Sequence, residues 1–179
     1  MKIDYCVFFT GLIIFLSYII ITAIIYGLRS SISALVKDYQ KDGLKIIPHL
    51  FIILGVCFPF DYLAGTWAMV IGSSLLYGIG NITGYNPKMK PYKLQSNIHV
   101  ILTLTAIIFY LFAIITLSSA RINETQNLKI SPLYCLLASI WLISTFVLWV
   151  KKVPKHTTWI EITGILMGYL CLYIENFMI

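Results

Sequence analysis

Two histidines and a glutamate are the side chains of this sequence best suited to chemistry. His49 and His99 each lie about one turn inside an apolar run, and Glu161 lies near the start of another. Imidazole can relay protons near neutral pH or ligate a metal or haem, and a carboxylate can act as an acid or a base. His49, His99 and Glu161 are therefore our candidate catalytic residues. The simpler alternative for each histidine is a hydrogen bond to neighbouring backbone.

The spacing of these side chains matches no standard metal site. The sequence contains neither HxxxH nor HExxH, and its four cysteines form no CxxC pair. Each cysteine lies within or beside an apolar run, where cysteine behaves as a small hydrophobic residue. We predict no metal and no cofactor.

Glu161 also has a local interpretation. Thr158-x-x-Glu161 has the spacing of a capping box, in which the threonine caps a helix start and the glutamate satisfies a free backbone amide. The carboxylate would also offset the positive end of the helix dipole. Helix capping is thus the alternative to a catalytic role for Glu161.

The composition of the chain indicates where these residues reside. Hydrophobic residues make up 59% of the 179 residues and charged residues only 11%, whereas a soluble domain averages about 25% charged residues. The first apolar run is longer than a signal-peptide core, which indicates a retained helix. We predict an all-α protein with a single integral membrane domain, residues 1–179, and no nucleic-acid partner.

The apolar runs and the basic residues predict the topology. Residues 46–80 are too long for one crossing, and dividing them places ten of the thirteen Lys and Arg residues on one side of the membrane. We therefore predict a polytopic transmembrane bundle of six helices, with both termini outside, in the inner (cytoplasmic) membrane of the cell. The predicted helices span about 7–28, 46–60, 64–80, 98–119, 132–150 and 159–178.

Asp61 is the only fully ionised side chain between Ile46 and Gly80. Pro59 and Gly65 bracket it, which is typical of a turn. We predict that Asp61 faces water at the corner of a tight outer hairpin. In the alternative, it is a working carboxylate below the headgroups, with Glu175 near the outer end of the last helix as its companion.

The first inner connector, residues 29–45, has an amphipathic pattern. Ile32, Leu35, Val36 and Tyr39 follow the spacing of one helical face, and Gly43 can end the helix. We predict a short helix in the inner interface after the first membrane helix. The alternative is a solvated connector without a specific partner.

The inner ends of the helices are the predicted ligand-binding region. Helix starts and basic segments beside a membrane attract anions, so anionic lipid headgroups at the cytoplasmic face are the expected partner. Ser33 and Asn97 belong to inner segments and join the candidates already named. The predicted ligand-binding residues are Ser33, His49, Asn97, His99 and Glu161.

Several short features together resemble a loose group of small bacterial six-helix membrane proteins of unknown function. They are Ser31-Ile32-Ser33 after the first helix, Gly78 and Gly80 at the exit of the third, and His99 opening the fourth. This resemblance implies a fold and no activity. The Ser, Asp and His content also resembles alkaline-ceramidase-like membrane hydrolases. Because their HxxxH pair is missing here, their zinc chemistry is not carried over.

The sequence favours binding or transport of a small or lipid-like ligand. One alternative is a membrane-embedded enzyme that acts on lipid at the cytoplasmic face through His49, His99 and Glu161. Another is a partner subunit or immunity-type protein whose activity lies in its protein contact. A homo-oligomer or another membrane protein is the corresponding partner.

Overall fold

The computed structural model describes residues 5–28, 32, 39, 42–44, 46–64, 71–72, 75, 93–115, 132–151, 153 and 155–177. Across these residues the chain is helical and contains no strand. Its elements are α1 (Tyr5–Tyr26), α2 (Ile46–Ile52), a π-helical turn (Ile53–Cys57), α3 (Phe58–Ala64), α4 (Lys93–Ile115), α5 (Pro132–Val150) and α6 (His156–Phe177). Because α2, the π turn and α3 follow one another without interruption, these elements form five helices.

Four of the five helices are long and apolar enough to cross a membrane. They are Tyr5–Tyr26, Ile46–Leu63, Pro132–Val150 and His156–Ile174. In α4 the apolar part is shorter, Ile101–Ile115. The all-helical, multi-pass character expected from the composition is therefore present, while the count of six and the orientation stay predictions.

The helix expected to end at residue 60 continues to Ala64, so Asp61 lies within α3 and not at a corner. The sequence suggested a break because Pro59 lacks the N–H that would bond the carbonyl of Gly55 in a regular α-helix. The chain accommodates this proline with the π turn, where the Phe58 amide donates to the carbonyl of Ile53. Asp61 itself is partly exposed.

The carbonyl of Gly55 obtains its hydrogen bond from another helix. The hydroxyl of Tyr169 in α6 donates to it over 2.6 Å. Pro59 thus removes a local donor, and a tyrosine 114 residues away supplies one. This bond ties α6 to the π turn.

Glycines allow α1 to approach the π turn and α3 closely. A Cβ at Gly11 would lie 2.3 Å from Cγ of Pro59, and one at Gly55 would lie 3.0 Å from the amide nitrogen of Phe15. Small residues at such crossings let helix backbones pack together within a membrane. Because residue 11 meets residue 59 and residue 15 meets residue 55, α1 is antiparallel to α2 and α3.

Helix α6 is also antiparallel to α1. Near the start of α1, the ring of Phe8 packs against Tyr169 and Tyr173 of α6, at centroid distances of 5.5 and 5.9 Å. Near the start of α6, Glu161 contacts Ile32, which follows the end of α1. The beginning of α1 and the end of α6 therefore lie at the same end of the bundle.

Helices α5 and α6 form a hairpin. The indole Nε1 of Trp141 donates to Oγ1 of Thr163 over 3.2 Å, and the indole covers Gly164 so closely that a Cβ there would lie 2.9 Å from the ring. Most other side chains of α5 are exposed in the isolated chain, as expected of a helix that faces lipid.

Two described residues of the connector between α1 and α2 pack onto the bundle. Ile32 and Tyr39 are helical and buried, and the residues between them lie outside the described part of the chain. Gly43 has a φ of 75°, and the Leu44 amide donates to the carbonyl of Tyr39 over 2.8 Å. This is the bonding of a Schellman motif, so Gly43 ends a helical turn as predicted.

Candidate functional site

Glu161 is the predicted site residue whose surroundings the structure defines best. It lies in the second turn of α6, partly buried, and its Oε2 accepts a hydrogen bond from the backbone amide of Ile32. Helix α6 begins at His156, so Thr158 lies inside its first turn and does not occupy the N-cap position that a capping box requires. The carboxylate thus joins α6 to the inner connector.

The other predicted site residues are only partly defined. His49 is a partly buried residue of α2. Asn97 and His99 belong to α4 and Glu175 to α6, but their side chains, and the whole of Ser33, lie outside the described part of the structure. Whether His49 and His99 share a site stays a prediction, as does a pairing of Asp61 with Glu175.

A buried tyrosine of α1 lies within electrostatic range of Glu161. Tyr18 is 2% exposed, and its hydroxyl has no hydrogen-bond partner among the described residues. It lies close enough to the Glu161 carboxylate and to Tyr39 to interact with both electrostatically. The Tyr18 ring stacks on Phe51 with a centroid distance of 5.0 Å and on Tyr39 at 6.2 Å. Packing fixes the ring while the hydroxyl stays unbonded.

Thr22 orients Tyr39 next to this site. The hydroxyl of Thr22, which is fully buried, donates to the carbonyl of Tyr18 over 2.6 Å. Since a threonine has a single O–H to donate, the 3.1 Å contact between Thr22 Oγ1 and the Tyr39 hydroxyl must have Tyr39 as its donor. The lone pairs of the Tyr39 oxygen then remain free to accept.

We refer to Tyr18, Thr22, Tyr39, Phe51 and Glu161 as the tyrosine–carboxylate cluster. Four parts of the chain build it: α1, the inner connector, α2 and α6. A carboxylate has about four acceptor positions, and the Ile32 amide uses one of those on Glu161. Within the described part of the chain, acceptor positions on Glu161 and both a donor and an acceptor on Tyr18 are therefore without a partner.

No protein-family model, curated protein or solved structure matches this chain. Its function therefore has to be inferred from the geometry of the described residues. Among those residues, no group of three or more His, Cys, Asp or Glu side chains is arranged to hold a metal ion. None of the four cysteines forms a disulfide, and Cys57 and Cys171 are buried.

The sequence analysis named Glu161 as a candidate site residue but did not name Tyr18 or Thr22. Both lie in α1, a helix whose apolar residues are spread over all of its faces. Their spacing of four residues was the available signal, because it places two hydroxyl-bearing side chains on one face of the helix. Tyr39, which the sequence predicts on the apolar face of the connector, is buried.

Proposed function

We propose that this multi-pass membrane protein binds or transports a small or lipid-like ligand, and that the tyrosine–carboxylate cluster is its binding site. The observation that carries the proposal is the buried hydroxyl of Tyr18, which has no hydrogen-bond partner among the described residues and lies within electrostatic range of the Glu161 carboxylate. A buried polar group without a partner costs about 1–3 kcal/mol. Ionisable residues within membrane helices are likewise costly, and they commonly mark ligand or ion pathways.

A purely structural role accounts for only part of this arrangement. Holding the connector requires one acceptor for the Ile32 amide, and an uncharged glutamine could provide it. The second carboxyl oxygen of Glu161 and the nearby hydroxyl of Tyr18 exceed what such a tether needs. A ligand that bonds to both groups would account for them.

The packing of the helices supports the proposed topology. If α1 and α6 both cross the membrane, their antiparallel contact requires an even number of crossings, with both termini on one side. Helix α3, parallel to α6, would end outside, and α4 must start inside if α5 is antiparallel to α6. One further crossing then falls between residues 64 and 93. Within that stretch Ile71, Gly72 and Leu75 are helical, and Gly72 is buried against Tyr110.

This arrangement would place the cluster toward the basic, cytoplasmic side. Glu161 lies five residues after the first residue of α6, about 8 Å along the helix axis at 1.5 Å per residue. A ligand could reach this depth from the inner headgroup region. Anionic lipids would then associate with the basic segments around the entrance, in the inner membrane.

The proposal is tested by native mass spectrometry of the protein released gently from its membrane. We expect a retained small molecule on the wild type and its loss from Tyr18→Phe and Glu161→Gln. Tyr62→Phe is the matched control, because Tyr62 is an exposed tyrosine of α3 remote from the cluster. A wild-type protein free of ligand, or equal retention by all four proteins, would contradict the proposal.

A further inference from the structure

We infer that the connector between α1 and α2 is a hinged strap, which covers Tyr18 and opens to admit the ligand. This inference rests on the proposed function and gives the route by which a ligand reaches the site. We use the name strap for the described connector residues Ile32, Tyr39 and Asp42. Three features support it: the way Tyr18 is covered, the bonds that hold the strap, and a glycine at each end of the connector.

Two aromatic side chains pack on the ring of Tyr18, and they differ in how they are attached. Phe51 belongs to α2, and the continuous helix that contains it packs closely against α1 at Gly55. Tyr39 belongs to the strap, is 4% exposed and stacks on the Tyr18 ring with a centroid distance of 6.2 Å. Moving Phe51 away would disturb the contact between two helices, whereas moving Tyr39 away requires only the connector to shift. The least disruptive route to Tyr18 therefore leads past Tyr39.

Each strap residue has a hydrogen bond that involves a side chain of α1 or α6. The pairs are the Ile32 amide with Glu161, the Tyr39 hydroxyl with Thr22, and the Asp42 carboxylate with the hydroxyl of Tyr26. These bonds and the burial of Ile32 and Tyr39 favour the closed position. One ordinary hydrogen bond changes an equilibrium by only about fivefold. A segment held in this way can open locally while the rest of the bundle stays folded.

A glycine in the left-handed conformation lies at each end of the connector. Gly27 directly follows α1 and has a φ of 69°, and Gly43 lies shortly before α2 and has a φ of 75°. A Cβ built at either glycine would have no described heavy atom within 4 Å. Glycine changes its backbone angles at little steric cost, and hinges are commonly a few residues at the ends of elements. The connector is therefore suited to swing about its two ends while α1 and α2 stay in place.

The test measures how often the strap opens, from the rate at which N-ethylmaleimide labels a thiol beneath it. Thr22→Cys places this thiol at a fully buried position, and its sulfur can still accept weakly from Tyr39. Cys171 of α6 is equally buried, lies outside the cluster and is the control within the same protein. Both rates are followed by peptide mass spectrometry in ligand-free, purified protein. Because a buried thiol reacts only when exposed, the rate at residue 22 reports the open fraction.

Two variants, each added to Thr22→Cys, remove bonds of the strap. Tyr26→Phe removes the donor to Asp42, and Glu161→Met removes the acceptor of the Ile32 amide. We expect each to raise the labelling rate at residue 22 about fivefold. Glu161→Gln keeps an acceptor for the amide, so it should leave that rate unchanged. If Glu161→Met does not fold, Tyr26→Phe still decides, because its bond lies at the exposed edge of the connector.

A third variant acts on a hinge and on none of these bonds. Gly27→Ala strains the left-handed conformation of the closed strap, so it should raise the rate at residue 22 by about fivefold or more. Tyr62→Phe is the matched control for Tyr26→Phe, because Tyr62 is an exposed tyrosine of α3. It should leave the rate at residue 22 unchanged. The labelling rate of Cys171 should stay the same in every variant.

The results decide on the strap separately from ligand binding. An unchanged rate at residue 22 in Tyr26→Phe and Gly27→Ala would overturn the strap. An equal rise at residue 22 and at Cys171 would overturn it too, because the whole bundle would then loosen. Neither result affects the test of the proposed function, which is ligand retention by the wild type.

A second measurement links the strap to exchange of the ligand. Native mass spectrometry follows the fraction of protein that carries the retained small molecule during dialysis in detergent. Tyr26→Phe and Gly27→Ala should lose this molecule about fivefold faster than the wild type, because they open the strap and leave the cluster residues unchanged. Equal rates of loss would overturn the strap as the route. A wild type that carries no molecule at the start would overturn the proposed function, and with it this route for a ligand.

Discussion

Two buried tyrosines of this bundle are equally hidden from solvent but differ in the hydrogen bonding of their hydroxyl groups. Tyr169 and Tyr18 are each 2% exposed. The hydroxyl of Tyr169 donates to the carbonyl of Gly55. That carbonyl has no backbone donor at residue 59, because proline has no N–H. The hydroxyl of Tyr18 has no hydrogen-bond partner among the described residues and lies within electrostatic range of the Glu161 carboxylate. Tyr169 completes the packing of the fold, whereas Tyr18 leaves a polar group unsatisfied within it.

The surroundings of the two residues follow the same division. Around Tyr169, Gly11 and Gly55 bring backbones into close contact, and Phe60 packs on the Tyr169 ring at 4.8 Å. Around Tyr18, the hydroxyl-bearing side chains of Thr22 and Tyr39 lie in contact, and the carboxylate of Glu161 is within electrostatic range. Proteins commonly retain such costly groups where function requires them. We expect the first region to stabilise the bundle, and we propose that the second is where a ligand binds.

The largest expected effect concerns which side of the membrane each region faces. We expect reporters fused before Met1 and after Ile179 to lie outside the cytoplasm, and one inserted between Lys151 and Lys155 to lie inside. This follows from the antiparallel contact of α1 with α6 and from the distribution of basic residues. Reporter activity on opposite sides for the two termini would contradict the even number of crossings.

The packed region should tolerate almost no added volume. Gly11→Ala would place a Cβ 2.3 Å from Cγ of Pro59 and 2.7 Å from the hydroxyl of Tyr169, so backbone or ring must move. We expect a loss of about 3 kcal/mol in the free energy of unfolding, measured by denaturation in mixed micelles. Ile13→Ala, on the exposed face of the same helix, is the control and should change it by far less. A similar loss in both variants would remove the special role of the α1–α3 contact.

Removing the hydroxyl of Tyr169 should have a smaller but clear cost. Tyr169→Phe leaves the carbonyl of Gly55 without its donor, so we expect a loss of about 1–3 kcal/mol in the free energy of unfolding. The effect should shrink in a Pro59→Ala background, because residue 59 then has an amide to offer. If Tyr169→Phe costs the same in both backgrounds, the hydroxyl does not replace the missing backbone donor.

Sequence reasoning predicted the bounds of one helix correctly but did not predict contacts between residues far apart in the chain. Helix α5 has the predicted bounds, 132–150, because its apolar run is bounded by Pro132 and a lysine pair. The predicted break near Asp61 was local reasoning from Pro59, and it failed because the compensating hydroxyl comes from a residue 114 positions away. Glu161 was identified from its chemistry, but its partner Ile32 lies 129 positions away in the chain. Contacts at such separations leave no periodic signal in one sequence.

The smallest expected effect tests the central claim most directly, because the sign of the change in the free energy of unfolding decides the outcome. We compare the free energy of unfolding of ligand-free wild type with that of Tyr18→Phe, in the same micelles used for Tyr169→Phe. Tyr18→Phe keeps the stacked ring and removes a buried hydroxyl that has no partner in the described part of the chain. We expect the free energy of unfolding to stay the same or to rise by about 1 kcal/mol. Folding of the variant no longer removes a hydroxyl group from water without giving it a new hydrogen-bond partner. A loss as large as that of Tyr169→Phe would show that Tyr18 stabilises the fold, and it would contradict the assignment of the tyrosine–carboxylate cluster as a binding site.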